Sequence, residues 1–512
     1  MASKDHTIIS GSSNPDYEIV KHIMIDIKNE PEDLNTTKWN IYRVPFNLRS
    51  LNESAYTPQL ISIGPLHYGR EKLHPMQKQK LRYLNLFRRR VKNNMDQFKE
   101  YLKSKEADIR QCYAEKLRHD IDKEKLVEMM LLDSVLIMEL FLRVQRQKSE
   151  EEDIKNGKNV EKHTYLDDII VKQSWLNKSI QRDLLLVENQ IPLLILEELY
   201  NTVVPKSDPD KRRPTFIELA HDYFDCYHTY KRADSYSDQE TAASSSSNGK
   251  SSKDNNTTSA SGFEKKSSLR FRKLKENWGN NYEPQHFTDL IRSFYICKDL
   301  NEFKERLPLK TATKLRESGV SFEKVINRPL VDIKFKRVKI LSWFLCLGCI
   351  PNSTYFKARL QIPELKVDDT TECVLRNLIA FEQCHYPNQP YICSYVSFID
   401  SLIHTKDDVE LLVEKEVIMH ELGSDTEVAT LVNGLCKHVV TDKTCFADII
   451  NSLNKHYQRQ WYRTMAALRL VYFRDTWRAS STVVGIFVLI FTIFNFCRVL
   501  KLVLDLDQRR RP

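Results

Sequence analysis

The sequence predicts a mainly α protein with a multi-helix soluble region, a small antiparallel β-sheet and one C-terminal transmembrane helix. Three observations support this class. Apolar residues recur every three or four positions in long segments of the 512-residue chain, glycine is scarce at 12 residues, and an uncharged apolar run lies near the C-terminus. The chain is 41% hydrophobic and 29% charged, so much of it can bury a core.

The C-terminal run extends from Ala479 to Cys497 without a charged residue, and 11 of its 19 residues are Val, Ile, Leu or Phe. As a helix it would span about 28 Å, close to the roughly 30 Å hydrocarbon core of a bilayer. We predict a transmembrane helix over 479–500 and a short basic tail over 501–512. The alternative is a buried core helix.

Composition divides the rest of the chain into lobes and connections. We predict a disordered tail over 1–35, a helical lobe over 36–232, a Ser/Asn-rich linker over 233–282, and an α+β then helical lobe over 283–478. The linker has too little apolar surface to form a packed core. The alternating segments VSFEKV, PLVDIKFK and ARLQIPELKV predict the small sheet.

Two long helices are predicted in the first lobe. Apolar residues from Leu81 to Leu102 repeat with a helical period, and most basic residues of 78–92 fall off that stripe. These basic residues are Lys78, Lys80, Arg82, Arg88, Arg89, Arg90 and Lys92, of which Arg88, Arg89, Arg90 and Lys92 are the candidates for binding an anionic surface. They form either a solvated helix face or a patch for phosphate or anionic lipid. Residues 122–147 are apolar on nearly every side and predict a buried helix, followed by a charged loop over 148–162.

Two apolar segments each contain an Arg and a Glu six residues apart. They are Arg182 and Glu188 in RDLLLVENQIP, and Arg376 and Glu382 in RNLIAFEQC. Six residues advance a helix by about 600°, so the two members of a pair do not share a helix face. Each charged side chain therefore needs a partner from another element, or water.

The apolar neighbours of these carboxylates predict that they are buried, and a buried carboxylate must be paired or hydrogen-bonded. We predict a structural clamp in which Arg43 and Arg49 of IYRVPFNLR are candidate partners. The alternative is a site where paired carboxylates act as acid and base.

The sequence lacks the motifs of common catalytic and cofactor sites. GxGxxG, GxxxxGK[ST] and GxSxG do not occur, and HELGS at 420–424 has Ser424 where a zinc protease motif has its second His. Cys346 and Cys349 form a CxxC pair with no second pair to complete a zinc site. We therefore predict no catalytic residues, no cofactor and no metal.

Several longer motifs occur in a fixed order along the chain. They are IYRVPFNLRSLNESAYTPQLISIGPLHYG, MMLLDSVLIMELF, RDLLLVENQIP, VDIKF, RNLIAFEQC and HELGSDTEVATLVNGLCKHV, followed by the apolar run. In these the chain resembles the land-plant family called domain of unknown function 247. The resemblance implies a mostly helical plant membrane protein without an established catalytic activity, and it supplies no catalytic or ligand residues.

One interval departs from the family pattern, in which the VDIKF strand leads almost directly to the IPEL strand. Here RVKILSWFLCLGCIPNSTYF, residues 337–356, lies between them. Without it the chain would read VDIKFKKARLQIPEL, a short hairpin-like connection. We interpret the interval as an unspliced intron in the gene model, with a genuine apolar insertion as the alternative.

These features predict a membrane-anchored protein that binds another protein in recognition or signalling, without catalysis. The net charge of +9 is modest for the length and does not indicate a nucleic-acid partner. The alternatives are an enzyme of unrecognised class and a lipid-surface scaffold that uses the basic helix 78–92.

The soluble region is expected to face the cytosol. The N-terminus has no apolar run of signal-peptide length, and the 11 cysteines are scattered without a disulfide framework. The basic residues that flank the apolar run slightly favour a cytoplasmic tail instead, so the two indications disagree.

Overall fold

The computed structural model describes residues 38–90, 94–157, 168–204, 213–228, 262–278, 282–297, 302–337, 358–458 and 476–508. Several predicted segments lie outside these ranges: the tail over 1–35, residues 233–261 of the linker, residues 338–356 of the interval that departs from the family pattern, and residues 509–512 of the basic tail.

The helices of these ranges are α1 (Phe46–Arg49), α2 (His74–Arg90), α3 (Asn94–Gln111), α4 (Lys123–Lys155), α5 (Ile169–Lys172), α6 (Ser174–Leu185), α7 (Leu193–Val203), α8 (Phe216–Tyr223), α9 (Gly262–Asn277), α10 (Phe287–Tyr295), α11 (Ala312–Glu317), α12 (Thr371–His385), α13 (Tyr391–Leu402), α14 (Lys406–Glu414), α15 (Asp425–Leu435), α16 (Ala447–Gln458) and α17 (Thr476–Gln508). The strands are β1 (Lys304–Glu305), β2 (Val320–Val325), β3 (Lys334–Lys336), β4 (Ala358–Pro363), β5 (Leu365–Val367), β6 (Ile418–His420) and β7 (Lys443–Thr444). The predicted mainly α class is confirmed.

Helix α4 is the centre of the helical core. The Asp122 side chain caps its N-terminus by accepting a hydrogen bond from the Lys125 N–H, and nearly every side chain from Leu126 to Val144 is buried. Helices α2, α3, α7 and α8 pack around it. The predicted buried helix is confirmed.

The predicted charged loop is wrong as far as Lys155. Glu and Lys are good helix formers, and they continue α4 into solvent.

The small sheets contain parallel as well as antiparallel strand pairs, so the prediction of an antiparallel sheet is wrong in part. In the three-stranded sheet, with order β2-β4-β3, β2 pairs parallel with β4 and β3 pairs antiparallel with it. Strands β5 and β6 form a parallel pair, and β1 and β7 an antiparallel one. Alternation of apolar residues predicts strands, but strand direction depends on how distant segments meet.

Residues from the two predicted lobes belong to one hydrophobic core. The ring of Phe287, from the second lobe, lies 5.6 Å from that of Phe141 and 5.2 Å from that of Phe224, both from the first.

The linker ends earlier than predicted, because α9 is a helix that buries Phe271 and Leu274. These two residues lie three apart on one helix face, a spacing that suits burial.

Helix α17 contains the predicted apolar run and extends beyond it at both ends. The stretch from Val484 to Lys501 is strongly apolar, and none of it is buried. By length and composition, α17 is able to cross a membrane.

Candidate functional site: a buried polar cluster around Glu188

The segment Leu186–Pro192 joins α6 to α7 inside the protein. All of its residues are buried, yet its backbone is not helical. Buried N–H and C=O groups that lack helix partners must find others, because leaving one unpaired costs about 1–3 kcal/mol. The side chains of Glu188, Asn189 and Gln190 provide hydrogen bonds of this kind, both to this segment and to its neighbours.

Glu188 is fully buried and is contacted by several donors. Its Oε1 accepts a hydrogen bond from the Val44 N–H at 2.8 Å, while Oε2 lies 2.5 Å from Arg49 Nη2 and 3.1 Å from His67 Nε2. Arg43 Nη1 is more distant, at 4.0 Å. The structure thus places Arg49 directly against Glu188, with Arg43 at the margin. We call Arg43, Arg49, His67 and Glu188 the Glu188 cluster.

The electrostatics of the Glu188 cluster favour a charged carboxylate beside a neutral imidazole. Burial by itself raises the pKa of Glu188, but the adjacent His67 and Arg49 side chains and the Val44 N–H outweigh it and lower that pKa to about 2. Burial lowers the pKa of His67 despite the adjacent carboxylate. Glu188 is therefore held as a carboxylate in an ion pair with Arg49, beside an uncharged His67 ring.

Asn189 and Gln190 attach two further segments to the same connection. Asn189 Oδ1 accepts from the Ile63 N–H at 2.6 Å, and its Nδ2 donates to the Ile61 carbonyl at 3.0 Å. Gln190 Oε1 accepts from the Phe287 N–H at 3.0 Å, at the start of α10. The connection therefore holds the extended chain before α2 on one side and α10 on the other.

Two buried aspartates complete the attachment of that extended chain, and sequence reasoning missed both. Asp183 accepts hydrogen bonds from the backbone N–H groups of Gln59, Leu60 and Ile61, and Asp133 accepts from that of Gly64. Burial raises the pKa of each aspartate. The signal that could have identified them is a single aspartate within each of two apolar runs, MMLLDSVLIMELF and RDLLLVENQIP.

Lys80 corrects the prediction that the basic residues of α2 are solvated. Its Nζ lies 2.5 Å from Asp133 Oδ1 and also donates to the Ser62 carbonyl, and the side chain is buried. Position 64, whose N–H binds Asp133, requires glycine. Its φ is +70°, and a Cβ there would lie 2.5 Å from the Gln190 carbonyl oxygen.

Glu382 has a different partner from those proposed. Its Oε1 accepts from Arg292 Nε at 2.7 Å, and its Oε2 from the Cys393 N–H at 2.9 Å. The Arg292 guanidinium also stacks on the Tyr386 ring, 4.0 Å from its centroid. Neither Arg43 nor Arg49 is paired with Glu382.

The two arginines that share the six-residue spacing do not pair with their glutamates. Arg182 Nη2 donates to the Ser54 carbonyl at 2.6 Å, and Arg376 Nε pairs with Glu372 at 2.7 Å, one turn earlier on α12. For Arg376 and Glu382, which both lie on α12, this outcome agrees with the different helix faces expected from the spacing, whereas Glu188 lies beyond the end of α6 and is not on a helix.

Comparison with known proteins places the chain in a family. The family described as plant protein of unknown function, DUF247, has a model that matches residues 41–491. The chain belongs to this family. The matched range of this DUF247 chain includes the whole Glu188 cluster and part of α17.

Two Arabidopsis thaliana proteins are similar to the DUF247 chain. UPF0481 protein At3g47200 is 28% identical over 474 residues, which cover 89% of this chain and 85% of the relative. Putative UPF0481 protein At3g02645 is 25% identical over 518 residues, which cover 91% of each. No solved structure matches the chain.

The other predicted site of the DUF247 chain is the basic face of α2. Arg88 and Arg89 are exposed there, whereas the side chain of Arg90 and all of Lys92 lie outside the described part. Within the ranges that the structure describes, no group of three or more His, Cys, Asp or Glu side chains is arranged to hold a metal ion.

An open surface groove lies away from the buried carboxylates of the DUF247 chain. Its lining includes Glu305, Arg306, His404, Thr441 and Asp442. The buried carboxylates Asp133, Asp183 and Glu188 are not part of its lining. Chemically, the buried set can fix chain segments in place, because its oxygens already accept hydrogen bonds from the protein.

Proposed function

We propose that this DUF247 protein is anchored in a membrane by α17. We call the described part of the chain before α17 its helical unit, and we propose that this unit binds another protein, in recognition or signalling, without catalysis. The observation that carries the proposal is the exposed apolar surface of α17 between Val484 and Lys501. Transfer of a large apolar side chain from water into an apolar environment is favourable by about 1.5–3 kcal/mol. Helix α17 exposes many such side chains. A bilayer would cover all of them.

Two matched variants of the full chain test the anchor. Leu489→Arg with Ile490→Arg places two charges near the centre of the span, each costing about 2.5–3.5 kcal/mol of insertion free energy. Leu489→Ile with Ile490→Leu keeps the composition unchanged. We expect the parent and the exchange variant to stay in the membrane pellet after alkaline carbonate extraction, and the double-Arg variant to be released. Release of the parent would contradict the anchor.

The orientation that we propose places the helical unit in the cytosol. Two glycosylation sequons are described by the structure. Asn52 Nδ2 donates to Glu372 Oε1 at 3.1 Å, and Asn177 on α6 accepts from the Tyr223 hydroxyl at 2.8 Å. A glycan on Asn52 Nδ2 would replace one of its two hydrogens and place a bulky sugar next to Glu372, so this contact favours an unglycosylated Asn52. No disulfide joins the cysteines of the described ranges, among them buried Cys373 and Cys393, and this also suits a reducing compartment.

Protease added to intact microsomes tests this orientation. We expect it to digest the helical unit, and we expect deglycosylation to leave the electrophoretic mobility unchanged. Protection from the protease together with a mobility shift would place the unit in the lumen or outside the cell.

Two exposed apolar side chains support the protein-binding part of the proposal. Phe46 is 84% exposed and Val440 is 70% exposed. Their sequence neighbours, Leu48 and Val439, pack in the same small apolar cluster. A contiguous patch of exposed apolar side chains marks a protein-binding surface, and we propose that Phe46 and Val440 belong to one such patch.

A photoreactive amino acid at position 46 of the full chain tests that surface in plant cells. Trp175, which is also exposed, is the matched control position. We expect a discrete crosslinked species from position 46 that Val440→Ser weakens and that position 175 does not produce. The same species from both positions would contradict a specific surface.

The absence of catalysis remains part of the proposal. Glu188 and Asp183 accept hydrogen bonds from backbone and side-chain donors, an arrangement that supports a structural role. The enzyme alternative would be favoured if replacing groove residues such as His404 abolished a measurable turnover while the fold stayed intact.

A further inference from the structure

The exposed face of α2 combines cations with leucines. Lys78, Arg82 and Arg89 lie at spacings of four and seven and so form one stripe along the helix, and all three are exposed. Leu81 and Leu86, which are 49% and 37% exposed, flank this stripe. Leu81 begins the apolar stripe noted in the sequence, yet it is half exposed, whereas the adjacent Lys80 points inwards against Asp133.

The positive charge of this face is not neutralised within the described part of the chain. Helix α2 contains no Asp or Glu in HPMQKQKLRYLNLFRRR. Among the described residues, no carboxylate lies within ion-pair distance of Lys78, Arg82, Arg88 or Arg89. Elsewhere on the surface the cations are often paired, as Arg118 is with Asp120 at 2.8 Å.

We propose that the exposed face of α2 binds the surface of an anionic membrane, with its cations at the lipid phosphates and its two leucines between the headgroups. The positive charge of the face selects an anionic surface. The leucines favour a lipid surface over nucleic acid, because a bilayer offers an apolar layer that leucine side chains can enter and a nucleic-acid phosphate backbone does not. The inference rests on the proposed anchor only in that α17 would bring α2 near a bilayer.

Vesicle flotation of the full chain tests the inference, in the background of the double-Arg variant of α17 that prevents insertion. Each Lys or Arg near an anionic surface strengthens partitioning roughly five-fold. We expect tight, salt-sensitive flotation with vesicles of phosphatidylcholine and phosphatidylserine, and little with phosphatidylcholine alone. Arg82→Gln with Arg89→Gln should weaken binding roughly 25-fold. The control, Lys406→Gln with Lys437→Gln, removes two exposed charges elsewhere and should leave binding nearly unchanged.

The leucines separate lipid from other polyanions. Leu81→Ala with Leu86→Ala should weaken binding to the anionic vesicles about ten-fold or more. Leucine variants that bind as the parent does, or a control that weakens binding as much as Arg82→Gln with Arg89→Gln, would overturn the proposal. Insertion of the parent chain into neutral vesicles reports on α17 alone, so failure of the anchor and failure of this surface give different results. Circular dichroism of each exposed-site variant verifies that it is folded.

Discussion

Asn377 Oδ1 accepts a hydrogen bond from the Val187 N–H at 3.1 Å, across 190 positions of the chain. The Asn377 Nδ2 donates to the Ala55 carbonyl at 2.7 Å. The second of the two Arg/Glu segments therefore binds directly to the first, and both hold the chain that precedes α2. This contact explains why a buried connection contains so many polar side chains: each one joins segments that the sequence separates.

Asn377→Ala should destabilise the protein by about 2 kcal/mol, because the buried Val187 N–H loses its acceptor. Urea unfolding of the detergent-solubilised full chain, followed by circular dichroism, measures the change. Asn85→Ala, at an exposed position of α2, is the control and should change the unfolding free energy by less than about 0.5 kcal/mol. Equal effects of the two variants would show that the Asn377 contact is not important for stability.

Arg49→Met should cost about 3–5 kcal/mol, because it leaves the buried Glu188 carboxylate without its nearest cation, and Glu188→Gln should cost less, because the Arg49 side chain is partly exposed to water. Arg49→Met and Glu188→Gln test this separately. The double variant should cost less than the sum of the two, since they share one interaction. Arg118→Met, which breaks an exposed pair, should leave the unfolding midpoint nearly unchanged. Additive effects of Arg49→Met and Glu188→Gln would contradict direct coupling.

The acid dependence of stability should include a contribution from Glu188. Its pKa falls from an ordinary 4.5 to about 2 in the folded protein, so between these values the unfolded state binds more protons. The contribution, roughly 3 kcal/mol, is complete above about pH 4.5 and is lost as the pH falls towards 2. Urea midpoints of the parent and of Glu188→Gln should therefore converge on acidification. A constant difference down to pH 2 would show that the pKa is not lowered.

Deletion of residues 337–356 should leave the fold intact. Lys336 and Arg359 are partners in the antiparallel pairing of β3 with β4, so the deletion leaves Lys357 and Ala358 as a two-residue loop between them, and Ala358 gives up its strand pairing with Val320. These residues are not those that two-residue hairpin loops prefer, and we expect a cost of about 1 kcal/mol. Thermal unfolding of the deleted chain measures it. A chain that fails to fold would show that the interval is an essential part of the protein, and transcripts that include it without a spliced form would agree.

Local patterns in the sequence were enough to predict α4 and the apolar run of α17, and they predicted burial of Glu188 and Glu382. They could not predict that Lys80 points inwards, because its place depends on Asp133, which lies 53 positions away. The partner of Glu382 was missed for the same reason: Arg292 reaches it only because α10 packs against α12.

By itself, the sequence determined that the protein is mainly helical, that its central helix α4 is buried, which helix is apolar enough to span a membrane, and that its apolar segments contain carboxylates in need of partners. These properties depend on residues within a few turns of each other. Only the tertiary structure decided that Arg49 and His67 meet Glu188, that Asn377 binds the same connection, and that β2 runs parallel to β4. Such contacts join residues far apart in the chain, and the packing of the whole core determines which of them meet.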